Sequence, residues 1–127
     1  MAQYADIVEI VAPAEAEAGS RVDITVKIKN TYSSTIGIMA GGALEYGVSP
    51  WPGITFPDQT ANVGDGQTHS FQGYFTMPDS DVKIHAYSYY YSSDGYWYFD
   101  DEATKNVQAG TPESEYASIE IISYERR

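Results

Sequence analysis

A chain of 127 residues has room for one self-sufficient hydrophobic core. Its 18 acidic against 7 basic side chains leave a net charge of −11, which argues against phosphate-backbone binding and against anionic membrane surfaces, since both draw on Lys and Arg. Cysteine is absent, which excludes disulfide and thiol chemistry, while twelve tyrosines supply broad contact area with a polar tip.

No stretch is apolar for long enough to insert in a bilayer, and MAQYADIVEIVAP lacks the basic start and long apolar run of a signal peptide. Tyr4 to Val11 reads as a short strand closed by Ala12-Pro13. Ala14 to Ala18 is too short to nucleate a helix and reads as a connection. Arg21 to Lys29 is the cleanest strand: Val22, Ile24, Val26 and Ile28 face one way, while Asp23, Thr25, Lys27 and Lys29 face the other. Ile36 to Ala40 and Ala43 to Val48 are expected as two weaker strands around a bulge or turn at Gly41-Gly42. Ser49-Pro50-Trp51-Pro52-Gly53 is irregular, because two prolines remove donors and fix φ. Trp51 reads first as a plug over the end of the core, with recognition as its alternative role. Ile54 to Phe56 reads as an edge strand, Gly64-Asp65-Gly66 as a turn, and Thr68 to Thr76 as an alternating strand with Phe71, Gly73 and Phe75 on one side.

Val82 to Asp101 reads as a β-hairpin around Ser92-Ser93-Asp94-Gly95, with Gly95 taking the positive φ of the turn. A four-residue loop pairs Tyr91 with Tyr96, Tyr89 with Tyr98 and Tyr87 with Asp100. That register places Tyr87, Tyr89, Tyr91, Tyr96 and Tyr98 on one face, and Ile84, Ala86, Ser88, Tyr90, Trp97 and Phe99 on the other. The chain then returns through Thr104 to Val107. Residues 109–115 read as a linker by composition, and Tyr116 to Tyr124 as a last strand. The domain organisation expected is therefore a sandwich over 1–108, a linker over 109–115 and a C-terminal strand within 116–127.

Short strands at about ten-residue spacing, without a convincing helix, indicate an all-β protein: an immunoglobulin-like antiparallel β-sandwich of about 7–9 strands, with an up-and-down barrel as the alternative. One internal echo stands out. Tyr4-Ala5-Asp6-Ile7-Val8-Glu9-Ile10 matches Tyr116-Ala117-Ser118-Ile119-Glu120-Ile121-Ile122 at four of seven positions. The terminal strand either closes its own sheet or pairs with a neighbouring subunit's open edge.

The opening from Ala5 to Asn30 resembles the start of the bacterial and archaeal cell-adhesion-related (CARDB) domain and its Ig-like relatives. The resemblance is carried by Asp6, Pro13, Gly19, the alternating Val22, Ile24, Val26 and Ile28, and Asn30. FTMPDSDVKIHAYSYYY, Phe75 to Tyr91, is similar to the strand–corner–strand element of many bacterial surface and phage modules. The resemblance implies an extracellular-type Ig-like sandwich and carries over no catalytic residue. The Pro-Trp-Pro loop, the tyrosine ribbon and the terminal strand depart from it.

His69 and His85 both fall in expected strands, and no HExxH, GxSxG, phosphate-cradling loop or Cys-based metal spacing occurs. No catalytic residue, metal ligand or cofactor is assigned. Asp94, Asp100, Asp101 and Glu102, or Asp79 with Asp81, lack an EF-hand pattern and read as solvated loop carboxylates rather than a Ca²⁺ site. The interaction candidates are Tyr87, Tyr89, Tyr91, Tyr96, Tyr98, Trp51, and the terminal Tyr116, Ile119 and Ile121. The function expected is a non-enzymatic structural or attachment protein that docks on protein subunits of a larger assembly, including copies of itself. Nucleic acid is disfavoured by charge. A surface-type module without a signal peptide is explained most simply as a virion surface or decoration component, released by lysis. A carbohydrate-binding or adhesion module of a cell-surface protein, and so extracellular, is the alternative.

Overall fold

The computed structural model describes residues 2–110, which form two packed β-sheets without a helix. The strands are β1 (Ala5–Val11), β2 (Glu15–Glu17), β3 (Arg21–Asn30), β4 (Ile36–Glu45), β5 (Thr60–Val63), β6 (Thr68–Thr76), β7 (Val82–Tyr91) and β8 (Trp97–Gly110). One sheet has the order β1-β3-β6 and the other β2-β8-β7-β4-β5. All pairings are antiparallel except β2 with β8. This is the Ig-like sandwich expected from the sequence. The terminal strand candidate, with Tyr116, Ile119 and Ile121, lies outside the described residues.

The period-two pattern of β3 does what it implies: Val22, Ile24, Val26 and Ile28 are buried, opposite Phe71 and Phe75 of β6 and Ile38, Ala40, Leu44, Ile84, Ala86 and Val107 of the facing sheet. Asn30 ends the same inward row and is itself fully buried. Its amide donates to the Ser34 and Val63 carbonyls at 2.9 and 2.8 Å, and its Oδ1 accepts the Tyr32 N–H at 2.7 Å. A buried side-chain amide satisfied in this way fixes the chain at the end of the strand without the penalty of an unpaired polar group.

Four local expectations are corrected. β4 runs unbroken through Gly41 and Gly42, and Gly42 makes room rather than turning the chain. A Cβ at Gly42 would lie 2.9 Å from Ile54 Cδ1, whereas one at Gly41 would make only an ordinary contact with the Tyr89 ring. The Ala14–Ala18 connection contains β2, where the chain crosses from one sheet to the other and lies parallel to β8. β5, whose four residues show no clear alternation, is an added strand, and in place of an edge strand over Ile54–Phe56 the chain makes one isolated bridge to each sheet, Gly53 with Ala43 and Thr55 with Tyr74.

The fourth correction moves the ribbon. The hairpin loop closes with the Ser92 N–H on the Tyr96 carbonyl, so Tyr91 pairs with Trp97, Tyr90 with Tyr98 and Tyr89 with Phe99. One extra loop residue shifts every following side chain to the other face, since the strand period is two. A bulge at Asp100 then restores the phase: Ser88 pairs with Asp101 and Tyr87 with Glu102.

Candidate functional site

The outer face of the five-stranded sheet carries a row of rings. Tyr87, Tyr89 and Tyr91 stand on β7, with Phe99 and Trp97 beside them on β8. Their ring centres are 6.1 Å apart for Tyr87–Phe99, 5.9 Å for Tyr89–Phe99 and 5.2 Å for Tyr91–Trp97, all edge-to-face. The neighbouring strand β4 presents Gly37 and Gly41 to this face. A Cβ at Gly37 would come within 3.2 Å of Tyr91 Cβ and 3.4 Å of the Trp97 ring, so Gly37 lets these two aromatics lie against the sheet. Phe99 remains 56 % exposed, Tyr91 46 % and Trp97 37 %.

Of the five tyrosines expected together, the structure keeps Tyr87, Tyr89 and Tyr91 on one face and separates the other two. Tyr96 sits in the turn, where its N–H donates to Asp94 Oδ1 at 3.0 Å. Tyr98 points to the opposite side and stacks on Tyr90 at 5.8 Å. Its hydroxyl donates to the Asp94 carboxylate; that bond holds the Asp94 carboxyl below its usual range and pushes the Tyr98 phenol up. Trp97 and Phe99, placed by the sequence on the face opposite the tyrosines, stand beside Tyr91 and Tyr89 instead. The signal that could have found them is the apolar character of Phe99 next to the bulge-forming Asp100-Asp101, but only a known loop length turns that into a face.

The row continues into a cluster that sequence reasoning missed. His85 is buried on the same face, with Nδ1 2.6 Å from Glu102 and Nε2 2.8 Å from Glu45. A carboxylate only accepts, so both contacts are satisfied together when the imidazole carries both protons. Burial pulls its pKa down, but hydrogen bonds and charge from the two glutamates outweigh this, and it stands above the ordinary 6.5. Trp51 stacks on the ring at 4.4 Å and stays 42 % exposed, so it caps a polar cluster on the sheet face rather than the end of the core. The Tyr87 ring lies nearly parallel to the imidazole at 6.5 Å, and burial followed by the charge of Glu102 raises its phenol pKa. Glu45 reaches His85 because β4 pairs with β7, a relation between residues 40 positions apart that no local pattern records.

Three of the other acidic candidates are engaged in structure. The Asp100 carboxylate accepts the backbone N–H groups of Gln3, Tyr4 and Ala5 at 2.6, 2.8 and 2.6 Å, and Asp101 accepts that of Ile7 at 3.0 Å. Asp81 accepts the Ala109 N–H at 2.8 Å. These are therefore not the freely solvated carboxylates expected, and among the described residues no group of three His, Cys, Asp or Glu side chains is placed to hold a metal ion. His69 packs edge-on to Phe71 at 4.6 Å.

No family model matches the chain, and no curated protein does. Solved structures do share its fold. The CARDB domain of a Pyrococcus furiosus protein, solved with di-metal ions, aligns over 87 % of this chain and 92 % of its own at 13 % identity and a TM-score of 0.58. The PKD domain of an M14-like peptidase from a Thermoplasmatales archaeon aligns over 87 % and 100 % at 12 % identity and a TM-score of 0.53. The Pseudomonas fluorescens alkylpurine DNA glycosylase AlkC, bound to DNA with an abasic-site analogue, aligns over 84 % of this chain at 12 % identity and a TM-score of 0.57, but the match spans only 31 % of the glycosylase. What is common to these is architecture: the chain has an Ig-like β-sandwich fold, similar to that of a CARDB domain.

Proposed function

We propose that the protein is a non-enzymatic structural or attachment module that docks a protein partner through the ring row on its five-stranded sheet. The observation that carries this is Phe99. It is the most exposed ring of the row, has no polar atom, and lies between Tyr87 and Tyr89. An apolar, charge-poor centre flanked by tyrosines is the composition of an interface core. The edge-to-face packing also breaks up the flat plane on which a sugar ring stacks. The likeness of the fold to a CARDB domain is consistent with an attachment role, and a virion surface or the outside of a cell is the setting this proposal includes.

A glycan is the second reading, favoured by one place only. At the end of the row, Tyr91 and Trp97 form an open groove with Thr60, Ala61 and Asn62 of β5, where ring faces and hydroxyl and amide groups converge.

The test compares the wild-type domain with a Trp97→Ala/Phe99→Ala variant as bait against extracts and intact particles or cells of the source. Protease-sensitive capture by the wild type, lost in a variant that melts at the same temperature, is the expected result. Capture destroyed by periodate but not by protease selects the glycan. Undiminished capture by the variant overturns the proposal.

A further inference from the structure

At the hairpin end of the sandwich, three tyrosines from separate parts of the chain meet. Tyr4 precedes β1, Tyr32 stands in the loop from β3 to β4, and Tyr90 lies near the end of β7. The Tyr4 ring meets Tyr32 at 5.0 Å and Tyr90 at 4.9 Å, with interplanar angles of 72° and 87°. All three rings line a hollow of about 240 Å³, and each is at least partly exposed. The rest of the lining is Ile36, Tyr91 and the hydroxyl residues at 34–35 and 92–93, so no charged side chain takes part.

The walls are held in place by hydrogen bonds of the fold itself. The Thr31 N–H donates to the Tyr4 carbonyl at 2.9 Å, which ties the loop to the N-terminal segment. The buried Asn30 accepts the Tyr32 N–H and donates to the Ser34 carbonyl, and the Ser92 N–H closes the turn on the Tyr96 carbonyl. A site ordered in advance loses little entropy on binding.

We propose that this hollow binds a quaternary ammonium group of the kind choline carries. Rings set nearly at right angles form the corner of an aromatic cage, and their negative faces attract a cation. A metal ion or a primary ammonium would need carboxylates to replace its water, and the two nearest in the fold are committed. Asp94, next to Ser93, accepts from the Tyr98 hydroxyl and the Tyr96 N–H, and Asp100 accepts the N–H groups of Gln3, Tyr4 and Ala5. A trimethylammonium group has no N–H to satisfy and needs only ring faces around it. The net charge of −11 draws in cations and disfavours anionic ligands. The volume lies below the range of about 300–1,000 Å³ typical of drug-sized pockets, which suits one compact group. The hollow meets the ring row only at Tyr91, so the two sites can be tested apart.

Isothermal titration of the wild-type chain compares three compounds: choline, its uncharged isostere dimethylbutanol, in which carbon replaces nitrogen, and ethanolamine, whose charge sits on a hydrated primary ammonium. Saturable binding of choline, at least about tenfold tighter than either of the others, is the expected result. Tyr32→Ala, which removes a loop ring 40 % exposed, should weaken choline binding at least about tenfold, whereas Tyr32→Phe should keep it within about twofold. Tyr96→Ala, outside the hollow, should leave it unchanged. Absence of saturable choline binding overturns the proposal. So does equal binding of dimethylbutanol, which would mark a merely apolar pocket, or full retention of choline by Tyr32→Ala. Vesicles of phosphatidylcholine separate the two sources of the group. Vesicle binding that free choline displaces assigns a lipid headgroup to the site, and choline binding without vesicle binding assigns a free solute.

Discussion

Asp100 reaches back to Ala5 and takes its backbone N–H at 2.6 Å, while the neighbouring Ser88 hydroxyl holds the Ala5 carbonyl at 2.6 Å. Both polar groups of a fully buried residue are thus served by the opposite sheet, which fastens the N-terminal strand across the sandwich. The bulge makes this reach available, because it sets Asp100 and Asp101 together opposite Ser88.

Removal of that carboxylate leaves three N–H donors without their partner. Asp100→Ala is expected to lower stability by roughly 2–4 kcal/mol, in line with the loss of charge-assisted bonds at a part-buried site. Asp100→Asn, which keeps one acceptor oxygen, should fall between. Urea unfolding of the three proteins checks the order; equal midpoints would show that water replaces the carboxylate at no loss.

His85 makes stability depend on pH, and the sign follows from its surroundings. The groups facing it are Glu45, Glu102, Trp51 and Tyr87, with the two carboxylates holding its folded-state pKa above the ordinary value. A raised pKa means that the folded state binds the proton more tightly than the unfolded chain. The contribution is therefore complete below about pH 6.5 and is lost as pH rises through the folded-state value. Wild-type unfolding midpoints should fall over this window relative to His85→Gln, whose profile should be flat there. Trp51 fluorescence should change over the same window, since the indole stacks on the titrating ring.

Two glycines of the interior and the outer face should respond oppositely to one added methyl group. A Cβ at Gly73 would lie 2.7 and 2.9 Å from atoms of the buried Phe56 ring, whereas at Gly41 it would make an ordinary 3.5 Å contact with Tyr89. Gly73→Ala is expected to destabilise by about 1–3 kcal/mol through overpacking. Gly41→Ala should stay within about 1 kcal/mol of wild type. Thermal melts of both variants decide it.

How far the sequence could be read depended on the range over which each feature is set. The alternation of β3 is local, and its inward row down to Asn30 was legible residue by residue. The hairpin was legible as well, because Asp94-Gly95 between aromatic runs is a short-range signal. Its faces were not: one extra loop residue exchanged Tyr96 and Tyr98 for Trp97 and Phe99, and the bulge at Asp100 then concealed the shift by returning Tyr87 and Glu102 to the expected phase. The His85 cluster was out of reach for another reason. It exists because β4, β7 and β8 are adjacent, and strand order is a property of the whole fold.

That exchange of faces gives the sharpest test of the interaction surface. If the ring row binds, Trp97→Ala and Phe99→Ala should each reduce partner capture strongly, since buried aromatic anchors at interfaces typically contribute 2 kcal/mol or more, about thirtyfold. Their effect on stability should be small, because both rings are more than a third exposed. Tyr96→Ala, at the 67 % exposed turn tip, should leave binding within about twofold, although Tyr96 is the more accessible ring. Tyr98→Ala should act on the turn instead, because its hydroxyl is committed to Asp94 and its ring to Tyr90. Titration of the four variants against one captured partner separates the two faces. Loss of binding on Tyr96→Ala or Tyr98→Ala, with Phe99→Ala unaffected, would move the interface from the sheet face to the hairpin tip.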